Sequence, residues 1–188
     1  MKHPLVKEIL YTRTEIAQRS QELALEIDQH YQSQDVVENT ILIVGILKGC
    51  VPFMAEILNH ITYECETDYM VMSSYKGGVK ASGDPKIVLD INTNVKNRHI
   101  LIAEDVIDSG LTLEFVKNYF YTRGAKDVKI ITLVDKPTKR AVDLVPDWTG
   151  FKVGDEFLIG FGLDYEERLR NLPYVATCDI AKLKDWKW

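Results

Sequence analysis

The sequence predicts an α/β fold, an open and mainly parallel sheet flanked by helices. Two observations predict it. Short runs are nearly continuous in apolar residues, such as residues 40–47 (Thr-Ile-Leu-Ile-Val-Gly-Ile-Leu) and, apart from Lys129 and Thr132, 128–134, as strands buried on both faces require. Segments with helical spacing lie between such runs, so strand and helix signals alternate along the chain. The 188 residues amount to about one domain, and no linker or internal repeat divides them, so a single domain over 1–188 is expected.

Taken in order, residues 14–32 open with Thr14 and carry Ile16, Ala17, Leu23, Leu25 and Ile27 at helix-like spacing, which reads as an amphipathic helix. The apolar run 40–47 follows as a strand. Residues 51–61 read as a helix with Pro52 in its first turn. Strands are expected over 68–73, 86–91, 99–103 and 128–134, and a helix over 112–122. Residues 74–85 are polar and carry Gly77, Gly78 and Gly83, which predicts a mobile loop. Residues 135–154 hold Pro137, Pro146, Gly150 and Gly154 and read as irregular, before a last short strand at 157–161. Ligands of such sheets bind beyond the carboxyl ends of the strands, so chemistry is expected just after residues 47, 73, 103 and 134.

Composition narrows the function. Lys and Arg total 23 against 28 for Asp and Glu, a net charge of −5, so no overall positive field favours nucleic acid or an anionic membrane. No apolar run reaches bilayer-spanning length, and the N-terminus lacks the apolar stretch of a signal peptide. Cys50, Cys65 and Cys178 are odd in number, widely spaced and form no CxxC pair. A reduced, cytoplasmic protein is expected. The P-loop pattern GxxxxGK[ST] is absent.

The richest stretch is 100–113. An apolar run ends in Glu104 and Asp105, then Asp108, Ser109, Gly110 and Thr112 open onto a helix. Glycine permits a tight turn, and N–H groups at a helix start attract phosphate, with hydroxyls of Ser109 and Thr112 as further donors. Adjacent carboxylates repel unless a cation or a diol lies between them, and a ribose phosphate with Mg²⁺ supplies both.

This stretch is similar to the phosphoribosyl-pyrophosphate signature of the type I phosphoribosyltransferases, and nearly the whole chain resembles the hypoxanthine-guanine branch of that family. Residues 47–50 (Leu-Lys-Gly-Cys) fall where the family has its pyrophosphate loop, Ser74 and Tyr75 where its lid begins, and 134–137 (Val-Asp-Lys-Pro) where it selects purines. Residues 157–165 and 168–173 match its C-terminal base and metal segment. The resemblance implies the family's open parallel sheet with a small hood formed by terminal segments. It also implies transfer of the phosphoribosyl group from phosphoribosyl pyrophosphate to hypoxanthine or guanine, giving IMP or GMP in purine salvage, with Mg²⁺ as cofactor and a homodimer or homotetramer as assembly.

Residue by residue, the resemblance makes Asp108 the acid/base at purine N7. Ribose and 5′-phosphate binding falls to Glu104, Asp105, Asp108, Ser109, Gly110, Leu111 and Thr112. Lys48, Gly49 and Arg170 meet pyrophosphate, with Arg140 as a further approach. Lys136 donates to purine O6, Phe157 stacks on the base, Leu158 reads its edge through the backbone, and Asp164 completes the purine and metal segment. Metal ligands are Glu104, Asp105 and Asp164. Relatives often carry Lys where this chain has Leu111, and often Gly where it has Cys50. Each residue also has a plainer reading: Asp108 as a helix cap, Lys48 and Lys136 as solvated loop lysines, Phe157 as core. The rivals are an enzyme of the same superfamily with another base, and an RNA-binding regulator on the same fold, against which the acidic balance speaks. His3, His30, His60 and His99 show no ligand spacing.

Overall fold

The computed structural model describes residues 2–33, 40–74 and 85–188. Along the chain run β1 (Val6–Tyr11), α1 (Arg13–Gln32), β2 (Ile41–Leu47), α2 (Val51–Leu58), β3 (Cys65–Ser74), β4 (Pro85–Leu89) and β5 (His99–Ile107). They are followed by α3 (Leu111–Thr122), β6 (Asp127–Asp135), a 3₁₀ turn (Pro137–Lys139), β7 (Trp148–Lys152), β8 (Leu158–Ile159), β9 (Val175–Cys178) and α4 (Ile180–Leu183).

Strand β2 shows how the sequence builds two cores. Ile41 and Ile43 pack with Ile16, Leu23 and Ile27 of α1 and Phe53 and Ile57 of α2. Leu42, Val44 and Ile46 pack with Leu113, Val116 and Phe120 of α3. Successive strand residues point to opposite faces, so a strand apolar at every position needs helices on both sides. Leu101 and Ala103 of β5 join the first core, Ile100 and Ile102 the second.

The main sheet has the order β4-β3-β2-β5-β6-β7. All its pairs are parallel except β3 with β4. The chain leaves β2 for β3 on one side and returns through β5 on the other. This reversal opens a crevice at the carboxyl ends of β2 and β5, where ligands of such sheets bind. A second sheet, β1-β9-β8, is antiparallel and joins terminal segments to residues 158–159, with Leu5, Val6, Ile159, Tyr174 and Ala176 in its core. It is the expected hood.

Several boundaries differ from the sequence reading. Helix α1 is capped by Thr12, not Thr14: Thr12 and Glu15 exchange backbone-to-side-chain hydrogen bonds in a capping box. Strand β5 runs to Ile107, four residues past the expected end, because its ladder with β6 continues through Glu104↔Thr132 and Ile107↔Asp135. Residues 148–152 are not irregular but form β7 on the sheet edge. Gly150 makes this fit, since a Cβ there would lie 2.4 Å from the Leu133 carbonyl oxygen. The strand expected at 157–161 shrinks to Leu158–Ile159, because Gly160 (φ +91°) and Phe161 (φ +48°) turn the chain away. The expected loop at 74–85 falls mostly on residues 75–84, outside the described residues, while Ser74 ends β3 and Pro85 opens β4.

Candidate active site

Gly49 begins the site. The turn after β2 lies so close to β5 that a Cβ on Gly49 would fall 1.9 Å from Asp105 Oδ2. Cys50 beside it is buried, and burial, reinforced by the charges of Glu104 and Asp105, pushes its thiol up to about 12. A thiol held neutral there packs as a small apolar group. The Leu47–Lys48 peptide bond is cis.

The acidic pair stands inside the last turns of the β5 ladder rather than beyond the strand. Asp105 is buried and its Oδ1 accepts the N–H of Val106 at 3.0 Å. Glu104 Oε2 is sealed from solvent with no hydrogen-bond partner. Burial, then the neighbouring Asp105 charge, raises the Glu104 carboxyl well above its ordinary range, and burial also raises Asp105.

After β5 the chain turns through Asp108 and Ser109 into Gly110, the N-cap of α3, whose φ of +81° is a left-handed conformation that suits glycine. No side chain caps this helix. Asp108 is therefore not its cap, and its carboxylate is exposed. Ser109 Oγ accepts the N–H of Leu111 at 3.4 Å. Ser109, Gly110 and Thr112 line a recess of about 150 Å³ together with Glu104, Val106 and Asp108. Leu111 is 43% exposed and leaves its place without a charge.

A larger cavity of about 300 Å³ adjoins this recess and shares Glu104, Val106 and Asp108 with it. Gly49, Asp105, Lys136, Lys139, Phe157, Leu158, Asp164 and Arg170 also line the larger cavity. Lys136 is not a solvated loop lysine. It is 5% exposed, its Nζ donates to the Glu156 carbonyl oxygen at 3.0 Å, and Asp108 Oδ1 lies 3.3 Å away. Phe157 is 42% exposed and edges onto Tyr165, so it is not core.

The cations expected to meet an anion are already paired. Arg170 contacts Asp164 Oδ1 at 2.9 Å and Glu167 Oε2 at 3.4 Å, and donates to the Gly162 carbonyl oxygen at 2.7 Å. Lys48 reaches the same Glu167 oxygen at 2.9 Å. Glu167 thus links the two, and nothing in its spacing marks it in the sequence. Arg140 lines neither cavity: its guanidinium donates to the Asp108 carbonyl oxygen at 2.7 Å and pairs with the buried Asp135. Of the expected lid, Ser74 lies at the end of β3 and Tyr75 outside the described residues. Among the described residues, no three Asp, Glu, His or Cys side chains converge, so Glu104, Asp105 and Asp164 do not form a closed metal cage.

A switch-point crevice that holds the half-buried Glu104 and the buried Asp105 beside an uncapped, glycine-led helix start defines an α/β protein with a place for an anionic sugar phosphate. The family model named "Phosphoribosyl transferase domain" matches residues 7–166, and the chain belongs to that family. It is 48% identical over 172 residues to the hypoxanthine-guanine phosphoribosyltransferase of Lactococcus lactis, covering 92% of this chain and 91% of the relative. The hypoxanthine-guanine phosphoribosyltransferase of Bacillus subtilis is 46% identical, covering 96% and 97%. A solved hypoxanthine phosphoribosyltransferase from Staphylococcus aureus superposes with a TM-score of 0.88 at 35% identity, over 96% of this chain and 95% of the other. Among the described residues no helix is long and apolar enough to cross a membrane.

Proposed function

We propose that this chain transfers the 5-phosphoribosyl group from phosphoribosyl pyrophosphate to a 6-oxopurine, hypoxanthine or guanine, releasing pyrophosphate and forming IMP or GMP for purine salvage. One observation carries the reading. The recess at the start of α3 and the cavity lined by Phe157, Leu158, Asp164 and Arg170 meet at Glu104, Val106 and Asp108. A ribose placed there would reach a 5′-phosphate on one side and a base on the other.

In this reading Ser109 and Thr112 hydroxyls and the N–H groups at the start of α3 hold the 5′-phosphate. Glu104 and Asp105 accept the ribose hydroxyls. Phe157 offers an open ring face to the purine, and Lys136 donates to O6. Asp108, within reach of both cavities, holds and moves the proton at N7. Lys48, Gly49 and Arg170 receive the leaving pyrophosphate, which displaces the carboxylate of Glu167 from the two cations. The residues fit a divalent cation: an orphaned, sealed carboxylate oxygen on Glu104 beside Asp105, with Asp164 apart, leaves room for substrate oxygens to complete the shell. When bound, Mg²⁺ would neutralise charge on the pyrophosphate. The reduced cytoplasmic setting and a homodimer or homotetramer belong to the same reading, and light scattering after gel filtration tests the assembly.

The test is a spectrophotometric assay with phosphoribosyl pyrophosphate, Mg²⁺ and each of five nucleobases. Hypoxanthine or guanine should turn over, and EDTA should abolish turnover. Asp108→Asn should fold normally and lose about 10²–10⁴-fold in kcat, the usual worth of a positioned acid/base. No transfer to any 6-oxopurine would overturn the reading.

A further inference from the structure

We propose that Arg140 is a positioning residue: it fixes the Asp108–Gly110 turn from behind, and Asp135 holds it there. The inference rests on the reading of Asp108 and the α3 start given above, and it extends that reading to a residue that touches no substrate. Four contacts join the segment after β6 to the turn after β5. Lys136 N–H donates to the Ile107 carbonyl at 3.0 Å, and Ala141 N–H to the Ser109 carbonyl at 2.9 Å. Lys136 Nζ faces Asp108 Oδ1, and Arg140 Nη1 donates to the Asp108 carbonyl oxygen at 2.7 Å. Only the last fixes the peptide that carries Asp108 into Ser109.

Arg140 is built to do this. Its side chain is 12% exposed and that of Asp135 is 5% exposed, so the pair is largely withdrawn from water. Its stem also packs on the turn, since a Cβ on Gly110 would lie 3.0 Å from Arg140 Cδ. A guanidinium fork can satisfy a carboxylate and a carbonyl at once, which a lysine ammonium on a flexible stem does with less fixed geometry. The carbonyl bond holds the Asp108–Ser109 peptide in one orientation, and the N–H groups of the turn then point one way. A lapse of about 1 Å in such a support costs up to about 10²-fold in rate.

The experiment uses the full chain. Arg140→Gln alone strands the buried Asp135 carboxylate and endangers folding, so the Asp135→Asn/Arg140→Gln double variant and Arg140→Lys are made beside it. Both should melt close to wild type. Their kcat should fall about 10–100-fold and KM for phosphoribosyl pyrophosphate should rise, while KM for hypoxanthine moves less than about threefold. Exchange of the Ala141 amide, whose N–H bonds the Ser109 carbonyl, should quicken about tenfold while that of β2 stays put. Exchange does not depend on turnover, so it tests the brace even if the wild type proves inactive as a transferase. Unchanged exchange of the Ala141 amide in either folded variant overturns the proposal. So does a melting loss with kcat and both KM values per folded molecule unchanged.

Discussion

A lysine seldom lies fully buried unless its charge is met, and Lys136 is met twice, by the Glu156 carbonyl and the Asp108 carboxylate. Its ammonium is donor-only, so it suits the O6 acceptor of a 6-oxopurine and opposes the amino group of adenine. Adenine should be turned over about 10⁴-fold less well than hypoxanthine in kcat/KM, the range reached by buried polar mismatches. Lys136→Ala should narrow that gap by losing hypoxanthine rather than gaining adenine, and equal turnover of both bases by the wild type would refute the assignment. The types of these residues were legible in sequence, but their burial was not. Lys136 is covered by a carbonyl twenty residues onward, and no local pattern records that.

His99 shows the same limit. It passed as a histidine without ligand spacing, yet it is buried against Tyr31, with both ring nitrogens unpartnered and Asp127 3.9 Å from Nδ1. Burial, then the charge of Lys126, lowers its pKa below 6.5. The unfolded chain therefore takes a proton more readily than the folded one. The stability that neutral His99 supplies is complete above about pH 6.5 and is lost as pH falls below it. Melting temperature measured from pH 7.5 to 5.5 should drop more steeply in wild type than in His99→Leu. Parallel curves would rule this out.

Among the elements, those with one strong period were legible. Strands β2 and β6 and helices α1 and α3 lie within a few residues of expectation, because two-sided burial and helical stripes leave plain marks. Strand β7 was not legible, since Gly150 reads as a breaker until the Leu133 backbone is seen pressed against it. Strands β1 and β9 are short and partner one another far along the chain, so neither has a local signature. The turn at 160–162 joins the hood to the turn after β2. Gly162 has a φ of +100°, and a Cβ there would lie 2.0 Å from the Gly49 carbonyl oxygen. Gly162→Ala should cost about 1–2 kcal/mol from its left-handed backbone alone. The clash should also raise KM for phosphoribosyl pyrophosphate, measured beside urea unfolding. A variant with wild-type stability and KM would show that this contact carries nothing.

At the scale of the molecule, the sheet class and chemistry beyond the carboxyl ends of its strands followed from alternation, while the strand order alone singles out the crevice at β2 and β5. The hood did not, and only the family resemblance pointed to it. Its β1–β9 pairing spans 169 residues at Glu8 and Thr177, the kind of long-range closure that forms late and opens as a unit. Backbone amides bonded between β1 and β9 should exchange at one common rate, faster than those of β2. Separate rates for the two strands would dismiss the single opening.

That pairing also orders events during synthesis. A polypeptide leaves the ribosome from its N-terminus, so β1 is made before the other described strands and waits for β9 at Val175–Cys178. The six strands of the main sheet are all present once residue 152 has appeared, and with them the turn that starts α3. The aromatic wall at Phe157 and the acid at Asp164 come afterwards, and β9, which ties down β1, comes later still. On the proposed reading the nascent chain thus has its place for the sugar phosphate before its place for the base, and β1 is the described strand that stays longest without a partner.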